Sequence, residues 1–93
     1  MKSVKPVRWT NHALQNLAVR EVDRSEADRT ITQPDFVVLD PPDRQILMRR
    51  YFDQLLNQDM LLRVVVEETA SEVIIVTVYK SSQIRRYLKG LVE

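Results

Sequence analysis

The sequence predicts an α+β domain in which two N-terminal helices pack on one face of a three- to four-stranded antiparallel sheet and a C-terminal helix follows the last strand. Three observations carry that expectation. Apolar residues early in the chain recur at helical spacing behind Thr10. Residues 45–52, 61–67 and 73–79 are rich in β-branched and aromatic side chains and are separated by short polar loops. From Ser81 or Ser82 the helical period returns. Ninety-three residues support one hydrophobic core, so a single domain over 1–93 is expected.

Val7-Arg8-Trp9 reads as an extended lead-in. Thr10 is suited to cap a helix running to about Val22, because its hydroxyl can accept an amide that the first turn leaves unpaired. Leu14, Leu17 and Ala18 form the stripe expected to face the core, and His12, Asn16 and Arg20, each one turn from the next, share a neighbouring face. Ser25-Glu26-Ala27-Asp28 follows the loose capping-box pattern, Ala27 and Ile31 give a helix of about two turns its apolar edge, and Gln33-Pro34 ends it.

Residues 36–39 read as extended, and Asp40-Pro41-Pro42-Asp43 as a reversal, since two prolines fix φ and remove two backbone donors. Short loops around Asn57-Gln58-Asp59 and Thr69-Ala70-Ser71 make the three strands that follow antiparallel neighbours. Leu55-Leu56 fits either a strand end or a helical turn. Ile84, Tyr87, Leu88 and Leu91 mark the C-terminal helix, with Gly90 near its end.

Side chains alternate along a strand, so each run divides into two faces. Ile46, Met48 and Phe52, then Leu62, Val64 and Val66, then Ile74, Val76 and Val78 compose an apolar face, interrupted by Arg50, that is expected to lie under the N-terminal helices. The opposite face carries Arg49, Tyr51, Arg63, Thr77 and Tyr79 among apolar groups, and the C-terminal helix can cover part of it.

Several chemistries are excluded. Without cysteine there is no disulfide and no thiolate metal site, and a lone His12 makes no histidine cluster, so neither metal nor cofactor is expected. Asp40 and Asp43 flank prolines, and Glu67 and Glu68 point to opposite faces of a strand, so neither forms an acid–base pair. Glycine-rich phosphate loops and a G-x-S-x-G elbow are missing. Met1-Lys2-Ser3-Val4-Lys5-Pro6 lacks the apolar core of a secretory leader, and no run approaches the roughly 20 apolar residues of a membrane span, so the reading is cytoplasmic with no membrane partner.

The net charge of +1 hides an uneven distribution: bases gather at Arg49-Arg50 and at Lys80, Arg85, Arg86 and Lys89. Arg49, Tyr51, Arg63, Thr77 and Tyr79 on one sheet face, with Lys80, Arg85, Arg86 and Tyr87 close behind, form a set suited to phosphate and bases, since a guanidinium forks onto two phosphate oxygens and a phenol ring can stack on a base. The plainer reading is that each Arg snorkels from a half-buried face and each Tyr supplies packing. His12 is the side chain whose ordinary pKa suits proton transfer near neutrality, against a plainer role as a hydrogen-bonded helix-end residue.

The order helix, helix, antiparallel strands, with Leu62-Arg63-Val64-Val65-Val66-Glu67-Glu68 leading into Val73-Ile74-Ile75-Val76-Thr77-Val78-Tyr79 and a basic, Tyr-containing end, resembles the RelE/ParE superfamily of small bacterial toxins. Trp9-Thr10-Asn11-His12-Ala13 followed by Arg20 is similar to uncharacterised bacterial domains that open with Thr-x-His-Ala and an Arg on the same helix. The RelE resemblance implies a metal-independent ribonuclease acting on messenger RNA, often on the ribosome, with Arg63 as the strand arginine, Tyr79 or Tyr87 near the tyrosine and Lys80 as the basic residue ending the last strand. The chain departs from that pattern in its modest basic content and its extra C-terminal helix, and ParE-type members poison gyrase without nuclease activity.

The leading expectation is therefore an RNA-directed toxin-like protein that attacks through the ribose 2′-hydroxyl. His12, Tyr79 or Tyr87 would move protons and Arg63, with Arg49 or Arg50, would stabilise the phosphorane. Arg20, Arg49, Arg50, Tyr51, Thr77, Lys80 and Arg85 would hold the RNA. The rival is a non-enzymatic interaction module whose partner is an antitoxin-like protein or a second copy of the chain.

Overall fold

The structure, a computed structural model, describes residues 5–91; residues 1–4, part of the segment read above for a leader, lie outside the described residues. The elements run β1 (Val7–Trp9), α1 (Asn11–Val19), α2 (Arg24–Thr32), β2 (Phe36–Asp40), β3 (Arg44–Asp53), β4 (Gln58–Glu68), β5 (Val73–Ser81) and α3 (Ile84–Leu88). The class is α+β as expected, but the sheet has five strands in the order β1-β5-β4-β3-β2 and is mixed. The lead-in at residues 7–9 is a strand, parallel to β5 through Val7↔Val73 and Trp9↔Ile75, while the remaining pairs are antiparallel. Among the described residues, no helix is long and apolar enough to cross a membrane.

Thr10 explains how β1 passes into α1. Its hydroxyl oxygen accepts the Ala13 amide at 3.1 Å, and the hydroxyl donates to the Ile75 carbonyl at 2.9 Å, so one side chain caps the helix and ties it to the sheet. The helix stops at Val19, three residues before the expected end, and Glu21 turns the chain with φ 52°. Its phase also differs from the expected one. Ala13 and Asn16 are buried, whereas Leu14 is 41% exposed and Ala18 lies outward, because the helix lies close against β5, where a small residue and a strand-capping amide fit.

The Asp40-Pro41-Pro42-Asp43 reversal joins β2 to β3, with Asp40 opposite Arg44. Leu55 and Leu56 lie in the turn between β3 and β4, which Asp53 closes by accepting the Leu56 amide at 3.0 Å. Asn57 takes the positive φ of 54° that ends that turn.

The face assignment of β3 is inverted relative to the expectation. Leu47 pairs with Val64 and Arg49 with Leu62, so Leu47, Arg49 and Tyr51 face α1 and α2, while Ile46 and Met48 share the opposite face with Arg63. A bulge in β5, opposite the Val65–Val66 step of β4, sets Val64 opposite Val78 but Val66 opposite Ile75, leaving Val76 as the extra residue. Ile75 is therefore fully buried, and Ile74 and Val76, expected under the helices, are only half-buried. Leu62, Val64, Val66 and Val78 occupy the expected core.

Two clusters result. Ala13, Val22, Ala27, Leu47, Leu62, Val64, Val66, Ile75 and Val78 fill the space between the sheet and α1 and α2. On the other face, Met48 and Leu61 pack with Leu88 of α3, bordered by Phe36, Ile46, Ile84 and Tyr87. Burying each large aliphatic side chain contributes about 1.5–3 kcal/mol, so five residues of α3 are held by Leu88 and its neighbours and not by helix propensity. Gly90, at φ 86°, lets the chain turn away after the helix.

Candidate functional site

The register that inverts β3 also divides the sequence-predicted site in two. Met48, Arg63 and Tyr79 are consecutive partners across β3, β4 and β5, so Arg63 and Tyr79 stand side by side on the α3 face. The Arg63 guanidinium carbon is 5.2 Å from the Tyr79 ring centroid and 4.0 Å from that of Tyr87, which α3 brings over the sheet. Arg20, just past α1, reaches the Tyr79 ring at 5.9 Å. Burial raises the Tyr79 pKa above its ordinary value, although the Arg63 and Arg20 charges oppose that rise.

Arg63 combines two aromatic contacts with the lack of an acid partner among the described residues. Arg8 pairs with Glu72, Arg24 with Asp28, Arg44 with Glu67, Arg49 with Glu26, Lys5 with Glu68 and Lys80 with Asp53. Among the described residues, Arg63 meets no carboxylate, and its buried Nε has no hydrogen-bond partner. Arg20 likewise has no acid partner there, and it donates to the Val78 carbonyl at 2.9 Å. Two cations beside two phenols without a counter-charge form a place where an anion gains charge-assisted hydrogen bonds.

Arg49, Tyr51 and Lys80 belong to the other face, which corrects the expectation that they join Arg63. Arg49 forms its ion pair with Glu26 of α2. Lys80 donates to Asp53 Oδ2 at 2.7 Å and to the Glu21 carbonyl at 2.7 Å, and the Tyr51 hydroxyl donates to the same carboxylate oxygen at 3.1 Å. Burial opposes ionisation of Asp53, but the hydrogen bonds from Lys80, the Leu56 amide and Tyr51 overcome it and hold its pKa below the usual carboxylate value. Burial, reinforced by the hydrogen bond to Asp53, raises the Tyr51 pKa. These groups join β3, β5 and α2, and their charges are already compensated.

The other expected residues are dispersed. Thr77 donates to Asn16 Oδ1 at 2.7 Å. His12 is exposed near the start of α1, eight residues before Arg20 and so about 12 Å away along the helix axis, which does not bring it to the Arg63 cluster. Arg50 and Arg85 line an open groove beside α3. Phe36 also lines it, but nothing in the residue pattern placed that ring near the C-terminal helix, since strand β2 first had to pair with β3. Asp53 was missed for a similar reason: its partner Lys80 is 27 positions away. Among the described residues, no three His, Asp or Glu side chains are grouped to hold a metal ion.

Residues 9–80 match the family described as Domain of unknown function (DUF4258), and the chain belongs to that family. No curated protein and no solved structure matches the chain.

Proposed function

We propose that this DUF4258 member is an RNA-directed protein of RelE-like fold that receives an RNA phosphate at Arg63, acting as a metal-independent ribonuclease of toxin–antitoxin type. The observation that carries the reading is the Arg63 guanidinium, seated 4.0 Å from the Tyr87 ring and 5.2 Å from that of Tyr79, with no carboxylate among the described residues to occupy it. Arg63 would stabilise charge that develops on the phosphorane as the ribose 2′-hydroxyl attacks. Tyr79, with its pKa raised, stays a phenol at neutral pH and serves as a hydrogen-bond donor or proton source, not as the base. The proton of the attacking 2′-hydroxyl passes to a non-bridging phosphate oxygen of the RNA, directly or relayed through the Tyr87 hydroxyl, since His12 lies at the other end of α1.

The test is binding and cleavage of single-stranded RNA, free and on ribosomes. Arg63→Ala is expected to lose about tenfold or more, as for removal of a charge-assisted hydrogen bond of about 1.5–3 kcal/mol. Arg44→Ala, at the exposed Glu67 pair, is the control that changes little. Equal activity of Arg63→Ala and the parent would remove the site.

The exposed edge of β2 favours a second reading, a non-enzymatic interaction module. Val37 is 49% and Leu39 70% exposed on a strand whose outer backbone has no partner strand among the described residues. An antitoxin-like strand or a second copy could pair there. A salt-insensitive dimer in light scattering, with no RNA effect of the parent, would favour this reading.

A further inference from the structure

Beside α3 lies an open groove of about 1080 Å³, on a part of the sheet separate from the Arg63 cluster. Its apolar surface comes from Phe36 of β2 and from Ile84 and Leu88 of α3. Arg50 of β3 and Arg85, Arg86 and Lys89 at α3 surround it with positive charge. One acid, Asp59, also lines it. None of the four cations forms an ion pair among the described residues, whereas six other cations of the chain are each matched to a carboxylate. Arg86 is held by Gln83, whose Oε1 accepts from its guanidinium at 3.0 Å, and this fixes one donor without neutralising it.

We infer that this groove is a nucleotide-binding site, taking the phosphate on Arg50, Arg85, Arg86 and Lys89 and the base against Phe36 and Ile84. Two properties support that ligand class. An apolar wall with a half-buried aromatic ring accepts the flat face of a base, and a cluster of unmatched cations accepts the attached anion. A bare inorganic anion would leave the apolar wall unused, and an uncharged ring compound would leave the cations unused. The volume also lies at the scale of small-ligand pockets. The same chemistry is offered by a free mononucleotide and by one residue of an RNA strand. As an RNA subsite the groove rests on the reading of Arg63 given above and extends its footprint to a second nucleotide, on the other side of α3.

The experiment uses the whole chain, ¹⁵N-labelled and titrated with adenosine 5′-monophosphate, adenosine and inorganic phosphate, in parallel with binding of a hexaribonucleotide to Arg50→Ala/Arg85→Ala and to Arg63→Ala. Adenosine 5′-monophosphate is expected to shift the amides of Phe36, Arg50 and residues 84–89 more than adenosine or phosphate does. If the source is RNA, the double variant loses hexaribonucleotide affinity by about tenfold or more, and its log affinity against log salt flattens by up to about 0.7 because one phosphate contact is weakened. If the source is a free mononucleotide, the monophosphate shifts persist and the double variant leaves RNA binding unchanged. Monophosphate shifts no larger than those of phosphate alone, together with unchanged RNA affinity of the double variant, would overturn the inference. Loss of RNA binding in Arg63→Ala but not in the double variant leaves the Arg63 reading standing without the RNA subsite, and the reverse pattern leaves the groove standing without Arg63. Circular dichroism of each variant confirms the fold.

Discussion

Asn16 Oδ1 accepts the backbone amide of Val78 at 2.9 Å, so a side chain in the middle of α1 stands where a neighbouring strand would otherwise hydrogen-bond. One turn later Arg20 donates to the carbonyl of the same residue at 2.9 Å. The ladder between β1 and β5 ends at Ile75, and α1 continues the protection of that edge with side chains. Asn16→Ala leaves the buried Val78 amide without a partner and is expected to cost about 1–3 kcal/mol, read from the midpoint of urea unfolding. An unchanged midpoint would mean that water replaces the amide without loss.

Asp53 links stability to acid. Its native pKa lies below the unfolded value of about 3.9, so its contribution is complete above that value and is lost as pH falls through the lower, native pKa. The melting temperature of the parent should therefore fall on acidification below about pH 4, with this component missing in Asp53→Asn. At pH 7 Lys80→Met, which leaves a carboxylate buried without its ammonium, is expected to cost about 3–5 kcal/mol. Parallel melting curves for the parent and Asp53→Asn between pH 3 and 7 would contradict the assignment.

Tyr87 separates positioning from proton transfer. Tyr87→Phe keeps the ring over Arg63 and removes only the hydroxyl, so RNA binding should stay within about twofold of the parent while cleavage drops if the hydroxyl moves a proton. Tyr87→Ala removes the ring as well, and loss of a cation–π contact of about 0.5–2 kcal/mol should weaken binding by about two- to thirtyfold. Comparing dissociation constants with single-turnover cleavage rates for the two variants reads the roles separately.

The β5 bulge makes neighbouring residues unequal. Ile75→Ala empties a fully buried position and is expected to cost about 2–5 kcal/mol, whereas Val76→Ala, at the half-buried extra residue, costs less. Denaturant midpoints of the two variants check the order, and a reversal would place the bulge elsewhere.

The elements themselves were legible from local chemistry. Thr10 caps a helix, the paired prolines reverse the chain, and β-branched runs form strands, because each depends on residues near one another in sequence. The faces were not all legible. β3 alternates between Ile46 and Met48 on one side and Leu47 and Tyr51 on the other, so both sides are apolar enough to enter a core and the pattern does not choose between them. Pairing with β4 decides, and it carries Arg49 to Glu26 on the helix face, away from Arg63. Val7-Arg8-Trp9 is too short to be recognised as a strand without β5 beside it. Of the candidate site, Arg63, Tyr79, Tyr87 and Arg20 were named from sequence and do come together, whereas His12, Arg49, Tyr51 and Lys80 do not join them.

The parallel pairing of β1 with β5 has a consequence during synthesis. Trp9 and Thr10 leave the ribosome early, but the strand they join is made only after residue 73, so α1 has no floor while β2, β3 and β4 are emerging. The nascent chain then carries an uncovered apolar face on β3 and β4 until β5 emerges, with closure reserved for that strand. Stalled chains in which residue 70 is the last to clear the exit tunnel should be cut readily by protease within α1, and chains exposing residue 88 should resist.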